Sequence, residues 1–172
     1  MNYGAAAQSY FNGRSYNGGS YQINMENLAN ADVETTLIDV EKPTNENTSV
    51  GDLGGKVTDV KYTLVVGSDV SMKFYIYTNE DLDLANVQIG CTPAKAVTEL
   101  TKESTGRYSV KVEGIKAAEL GTDFTVTITE GGNTMTITYS PYAFAASKWD
   151  ANNSLADLCK KLVTYGEAAR TY

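Results

Sequence analysis

From residue 33 to residue 139, apolar and polar residues alternate in short runs that Gly, Asn, Asp and Pro separate. Alternation places every second side chain on one face of an extended strand, and the separating residues are typical of turns. The pattern predicts seven to nine short strands, and the clearest runs are residues 33–41, 56–67, 70–78, 87–91, 94–101, 106–114, 122–130 and 134–140. We therefore expect a mainly β fold, an immunoglobulin-like β-sandwich in broad type.

The C-terminal residues change to a helical period. Ser140 followed by Pro141 is a start signal for a short helix, which we expect to end near Trp149. A second helix is predicted to begin with Ser154 as its N-cap. Its apolar stripe is expected to comprise Leu155, Leu158, Cys159 and Leu162. The stripe continues through Gly166 and Ala169, where small residues allow another element to approach closely. The chain is thus predicted to end in a C-terminal α-helical hairpin, residues 140–172, packed on the sandwich of residues 33–139.

The N-terminal residues predict a third unit, a short N-terminal helix and loop at residues 1–32. Residues 3–11 are rich in Ala and favour a helix, while residues 12–22 are rich in Gly and Asn and favour a loop. The segment "YGAAAQSY" (3–10) matches "YGEAARTY" (165–172) at five of eight positions. We interpret the match as a tandem repeat of 162 residues, in which the chain is cut from a longer protein; the alternative is two unrelated Ala-rich helices.

Composition narrows the classes of partner. The 172 residues are 42% hydrophobic, enough for a real core, and they contain 14 Lys and Arg against 21 Asp and Glu, a net charge of −7. Proteins that neutralise phosphates need clustered basic residues, so we expect no nucleic-acid partner. No run approaches the ~20 apolar residues of a membrane span, so we expect no membrane insertion.

Catalytic motifs are missing from the sequence. It contains no His, which excludes His-based triads and His-ligated zinc sites. Cys91 and Cys159 lack the spacing of a redox or zinc motif, and they are either one disulfide or two buried free thiols. No glycine-rich phosphate-binding motif is present. We therefore predict that the chain is not an enzyme and has no cofactor, with bound Ca²⁺ as one option.

Two groups of residues are candidates for binding. Glu80, Asp81 and Asp83 lie in one acidic loop and are a candidate Ca²⁺ site, although such a loop is often only a solvated surface. Tyr16 and Tyr21 in the Gly- and Asn-rich loop and Trp149 at a helix end are candidate stacking platforms for sugar rings. The alternative is that they anchor the loop and the core.

Tyr75 and Tyr77 form another aromatic group. They share one face of the strand at residues 70–78, because side chains two residues apart point the same way. That face is either an exposed platform or the core of the sheet.

The segments "NYGAAAQSYF", "NLANAD", "YSVKVEGIKAAELGTDFTVTI", "YSPYAFA" and "LCKKLVTYGEAARTY" carry a resemblance that covers most of the chain. It resembles an accessory module of large secreted or surface-attached proteins of anaerobic gut Gram-positive bacteria. The resemblance implies an extracellular or cell-surface location beside neighbouring domains of a longer chain. It implies no catalytic residues.

These observations lead to two functional hypotheses. The first is a non-catalytic extracellular module that acts as a structural spacer or in adhesion to another surface protein. The alternative is a carbohydrate-binding module whose partner is a polysaccharide. An exposed, coplanar row or cleft of aromatic side chains would discriminate the carbohydrate-binding module from the spacer or adhesion module.

Overall fold

The computed structural model describes residues 40–67 and 69–171, which form two antiparallel β-sheets followed by two helices. Several predictions fall on residues 1–39, outside the described residues. These are the N-terminal helix and its loop, most of the strand at residues 33–41, the first copy of the repeat, and the positions of Tyr16 and Tyr21. Residues 40 and 41 lie in irregular backbone.

Nine strands lie in the described part of the chain. They are β1 (Thr48–Val50), β2 (Val57–Val66), β3 (Val70–Thr78), β4 (Val87–Thr92), β5 (Ala96–Val97), β6 (Thr101–Ser104), β7 (Arg107–Ile115), β8 (Phe124–Glu130) and β9 (Asn133–Tyr139). The first sheet has the order β1-β9-β8-β4, and the second has the order β2-β3-β7-β5, with β6 also paired to β7. Most of the predicted strands are confirmed, including the β2–β3 hairpin.

Two strand predictions need correction. Residues 42–55 separate two of the predicted strands and were not expected to form one, but Thr48–Val50 forms β1 by pairing with β9. The single strand expected at residues 94–101 is two short strands, β5 and β6, that pair with different parts of β7. In both places the pairing partner, rather than local propensity, decides where backbone hydrogen bonds form.

The alternating residues build one core between the two sheets. Phe74 and Ile76 of β3 and Val126 of β8 are fully buried and belong to the same hydrophobic cluster. The ring of Tyr139 on β9 lies 4.3 Å from the ring of Tyr62 on β2, between centroids. Side chains from the two sheets therefore interdigitate, which gives the described residues a sandwich-like arrangement.

The outer face of the first sheet is covered by threonine. One row of cross-strand partners runs through all four strands and comprises Thr48, Thr138, Thr125 and Thr92. The hydroxyl oxygens of Thr125 and Thr138 lie 2.9 Å apart, within hydrogen-bond distance. Threonine favours this position because its branched side chain suits a pleated, half-exposed surface.

The start of the first helix is as predicted. Helix α1 (Pro141–Lys148) begins after Ser140, whose hydroxyl accepts a hydrogen bond from the Ala143 N–H at 3.2 Å. The prediction for helix α2 (Ser154–Thr171) was wrong by one residue, because Asn153 is the cap. Its side-chain oxygen accepts hydrogen bonds from the N–H groups of residues 155 and 156, both at 3.1 Å.

The buried face of α2 agrees with the prediction at Cys159 and Gly166 and differs from it at two leucines. Its buried residues are Ala156, Cys159, Val163 and Gly166, whereas Leu155 and Leu158 are 39% and 55% exposed. The reason is close approach, since a Cβ on Gly166 would lie 2.4 Å from the Tyr142 hydroxyl oxygen. A helix that packs this closely must present its small residues, so the large leucines lie beside the contact.

The two cysteines are free thiols in the structure. Cys159 lies on the buried face of α2, and Cys91 on β4 is half-buried. Burial raises the pKa of both thiols above the ordinary value. Among residues 40–67 and 69–171, no helix combines the length and the hydropathy that a membrane crossing requires.

Candidate functional site

The outer face of the second sheet carries two tyrosine side chains of β3. Phe74 and Ile76 point into the core, so Tyr75 and Tyr77 point outward, and both are partly exposed. This orientation excludes the alternative that Tyr75 and Tyr77 belong to the core of the sheet. Their Cα atoms are about 6–7 Å apart, since a strand rises about 3.3 Å per residue.

Three cations surround these rings. The Nζ atom of Lys73 lies 4.9 Å from the centroid of the Tyr75 ring, and the guanidinium carbon of Arg107 lies 5.5 Å from it. The Nζ atom of Lys61 lies 5.1 Å from the centroid of the Tyr77 ring. These distances are within the range of cation–π attraction. We call Tyr75, Tyr77, Lys61, Lys73 and Arg107 the tyrosine platform.

Sheet register brings the platform together. Lys61 of β2 is the cross-strand partner of Tyr75, and Arg107 of β7 is the partner of Tyr77. Lys73 precedes Tyr75 by two residues on the same strand and shares its face. Neighbouring strands are about 4.8 Å apart, so side chains on this face are in contact with their neighbours.

Carboxylates neutralise two of the three cations. Lys73 Nζ lies 2.8 Å from a carboxylate oxygen of Glu103, which also accepts a hydrogen bond from the Ser109 hydroxyl at 2.6 Å. The hydrogen bond from Lys73, and then that from Ser109, hold the pKa of the Glu103 carboxyl below its usual value. Lys61 Nζ lies 3.6 Å from a carboxylate oxygen of Asp59.

Arg107 differs from the two lysines. It has no carboxylate within 4.0 Å among the described residues, and its Nε–H is buried without a hydrogen-bond partner there. A guanidinium offers several N–H donors in a planar fork that suits carboxylate and other oxygen acceptors. The platform therefore combines two tyrosine rings with one guanidinium that forms no ion pair among the described residues.

The structure places Trp149 elsewhere. Trp149 is the C-cap of α1, and its side chain is partly buried against the core. Lys160 Nζ lies 5.9 Å from the centroid of its ring. This position agrees with the alternative that Trp149 anchors the core, and the residue does not join the tyrosine platform.

The three acidic residues proposed for Ca²⁺ face different partners. Asp81 bonds to Lys102 Nζ at 2.7 Å and accepts from the Tyr108 hydroxyl at 3.1 Å, and these bonds lower its pKa. Asp83 caps a short 3-10 helix by accepting from the Ala85 N–H at 3.2 Å.

The side chain of Glu80 is 62% exposed, and its nearest cation is Lys56 at 4.0 Å. Within the described ranges, no three acidic, His or Cys side chains are grouped so that they could hold a metal ion. The arrangement therefore does not favour the Ca²⁺ site at Glu80, Asp81 and Asp83, which stays a prediction.

One buried charge was not singled out from the sequence. Glu130 lies at the end of β8 in line with the core-facing residues and is 3% exposed. Its carboxylate accepts the Asp83 N–H at 2.7 Å and Lys56 Nζ at 3.0 Å, and the bond from Asp83 contributes most to lowering its pKa. Glu130 thus holds the acidic loop to the sheet, a structural role. The sequence does contain a signal for this role, because Glu130 is an acidic residue at a core-facing position of an alternating strand.

Arg107 was also not predicted from the sequence to be a binding residue. Its position next to core-facing Tyr108 places it on the outer face of β7, which alternation alone predicts. That no carboxylate of the described residues lies within 4.0 Å of Arg107 follows from the pairing of β3, β6 and β7 and is not visible in the sequence.

Comparison with known proteins adds no relative to this description. No family model matches the chain, and no match is found among curated proteins or solved structures.

Proposed function

We propose that the chain is a non-catalytic extracellular module of a bacterial cell-surface or secreted multidomain protein. Its sheets form a rigid scaffold, immunoglobulin-like in broad type, that presents a binding face for adhesion to another surface molecule. The observation that carries the proposal is the tyrosine platform, in which the Arg107 guanidinium forms no ion pair among the described residues and lies beside two outward-facing tyrosine rings.

The platform favours a binding role over a pure spacer role. Outward-facing residues of a sheet that serve only solubility are normally charged or hydroxylated, as Thr125 and its neighbours on the first sheet are. Tyrosine and arginine are instead enriched where proteins contact partners, because they combine large contact area with directional hydrogen bonds. Their concentration on one face of the second sheet supports adhesion there.

A carbohydrate-binding module is the second candidate, and a specific observation favours it. Tyr75 and Tyr77 present rings at a regular spacing along one strand, and C–H faces of sugar rings stack on such surfaces. The guanidinium of Arg107, which forms no ion pair among the described residues, suits the carboxylate of an acidic sugar. A polysaccharide that contains uronic acids is therefore the expected ligand class for this alternative.

The first experiment is a binding screen of the whole chain against plant, host and microbial polysaccharides and against extracellular matrix proteins. The test variants are Tyr75→Ala, Tyr77→Ala and Arg107→Gln. Tyr165→Ala is the matched control, because Tyr165 is 62% exposed on α2 and lies outside the platform. Tyr16→Ala, Tyr21→Ala and Trp149→Ala test the other candidate stacking residues.

The outcomes separate the two candidates. Saturable binding to a polysaccharide that the platform variants lose and Tyr165→Ala keeps would establish the carbohydrate-binding role. The same pattern with a protein ligand would establish protein adhesion. If a ligand binds and all three folded platform variants bind it as the unaltered chain does, the platform is not the binding site and the proposal is wrong.

A further inference from the structure

The edge strand β4 differs from the other sheet edges in the described residues. β1 and β5 are only three and two residues long. β2 carries Asp59 and Lys61 and a register irregularity, and β6 carries Lys102 and Glu103. Short length, charge and bulges are the features by which sheet edges avoid pairing with other chains. β4, with the sequence VQIGCT, has none of them, and all six of its residues pair with β8 in unbroken register.

The turn between β8 and β9 fixes which way the backbone of β4 points. Gly131 and Gly132 have φ of 57° and 86°, the conformation of a type I′ turn, so Glu130 and Asn133 are a hydrogen-bonded pair. Hydrogen-bonded and non-hydrogen-bonded pairs alternate along antiparallel strands. The backbone groups of residues 125, 127 and 129 therefore point from β8 to β4.

It follows which groups of β4 lack a partner strand. The partners of residues 125, 127 and 129 are Thr92, Gly90 and Gln88. The N–H and C=O groups of Val87 and Ile89 must then point away from β8. Among the described residues, no strand pairs with this side of β4.

A cleft lies along this same edge. Its volume is about 440 Å³, within the roughly 300–1,000 Å³ of small-ligand sites. Half-buried Val87 and Ile89 form one side, and Val97 and Leu100, at the edge of the second sheet, form the other. The cleft therefore receives side chains from any strand that pairs with the free edge of β4.

Negative charge at the rim of the cleft favours a partner with a basic residue. Glu99 lines the cleft, is exposed, and forms no ion pair within 4.0 Å among the described residues. The chain as a whole carries a net charge of −7. A Lys or Arg next to the apolar side chains of the partner strand would be attracted to this rim.

We propose that β4 is a strand-addition site for an extended peptide segment of a partner protein, with alternating apolar side chains and a flanking basic residue. The backbone of Val87 and Ile89 supplies the hydrogen bonds, and the cleft supplies side-chain selectivity. The site is on the other sheet from the tyrosine platform and does not depend on it. The two proposals therefore fail or succeed separately.

The test is a display selection of random peptides of about ten residues, long enough to cover an ordinary strand, against the whole chain. The blocking variant is Ile89→Lys, which places a charge on the cleft side of the edge. The matched control is Gln88→Lys, which adds the same charge one residue away on the exposed outer face. Thermal unfolding establishes that both variants fold.

We expect selected peptides to alternate apolar and polar residues and to include Lys or Arg. Their affinity should fall by at least about tenfold for Ile89→Lys and stay within about twofold for Gln88→Lys. N-methylation of one selected peptide, residue by residue, should abolish binding at every second position, because only alternate N–H groups face β4. This scan needs no variant of the protein and remains decisive if Ile89→Lys does not fold.

Three results would overturn the proposal. One is a selection that enriches no peptide above background. Another is binding that tolerates N-methylation at all positions, which would indicate a pocket ligand rather than an added strand. The third is a dimer of the unaltered chain that Ile89→Lys dissociates in sedimentation equilibrium, since the occupant of the edge would then be a second copy.

Discussion

Two buried tyrosines allow a matched test of how much a hydroxyl group contributes in this core. Tyr139 and Tyr108 are 0% and 1% exposed, and both lie on central strands. The Tyr139 hydroxyl has no hydrogen-bond partner among the described residues. The Tyr108 hydroxyl accepts the Leu82 N–H at 2.9 Å and donates to Asp81 at 3.1 Å. The same change to Phe should therefore have opposite effects.

The magnitudes follow from the cost of burying a polar group. A buried donor or acceptor without a partner costs about 1–3 kcal/mol. Tyr139→Phe removes such a group and keeps the ring contacts with Tyr62 and Phe74, so we expect a gain of about 1 kcal/mol in the free energy of unfolding. Tyr108→Phe instead leaves the buried Leu82 N–H without its acceptor, and we expect a loss of about 1–3 kcal/mol.

Urea unfolding at neutral pH, monitored by fluorescence and circular dichroism, measures both variants. For a chain of this length, 1 kcal/mol corresponds to about 2–4 °C in the melting temperature. The dependence of the free energy on urea should not change, since neither variant alters the exposed surface. A loss above about 1 kcal/mol in Tyr139→Phe, comparable with that in Tyr108→Phe, would refute the reasoning, because it would mean that the Tyr139 hydroxyl has a partner such as an internal water.

Three further variants test other contacts. Glu130 has a lowered pKa in the folded state, so the stabilisation that it contributes is present above its unfolded pKa of about 4.3 and is lost as pH falls through its folded pKa. Glu130→Gln should therefore lower the stability of the protein at pH 7 and make that stability decline less steeply in acid. Urea unfolding midpoints measured across pH test both effects. Asn153→Ala should cost about 1 kcal/mol in thermal unfolding, and Ser154→Ala clearly less, because Asn153 is the cap; equal losses would contradict this assignment. Gly166→Ala should destabilise the protein by about 1–3 kcal/mol in urea unfolding although Ala favours helix, because the added Cβ would overlap the Tyr142 hydroxyl. The destabilisation should be smaller when Tyr142 is also changed to Phe. An unchanged destabilisation in that double variant would count against the overlap.

The strands of this fold were largely predictable because, when one face of a sheet is buried, the alternation of apolar and polar residues determines which side chains point to the core. The buried set on β3, Met72, Phe74 and Ile76, occupies alternate positions of the sequence. A shift of one residue would expose all three, so the faces are strongly specified. Tyr75 and Tyr77 were therefore identifiable as a pair, although the sequence left open which face was outside.

The features that were not predicted depend on contacts between segments that are distant in the sequence. On α2 the sequence predicts the close approach at Gly166, but not that Leu155 and Leu158 are exposed, because this depends on how Tyr142 packs against the helix. β1 is a strand only because β9 offers a free edge to Thr48–Val50. The charge balance around Arg107 depends on three strands that are distant in the sequence. No local pattern contains this information.

The two outer faces of the molecule also respond differently to ionic strength. The threonine rows on the first sheet carry hydroxyl groups and no charge, whereas the tyrosine platform contains three cations and nearby carboxylates. Interactions of exposed charges weaken as the Debye length falls from about 10 Å at 0.1 M salt to about 3 Å at 1 M, while hydroxyl and apolar contacts are screened little. A titration with NaCl therefore indicates, without any variant, which face a newly found ligand uses.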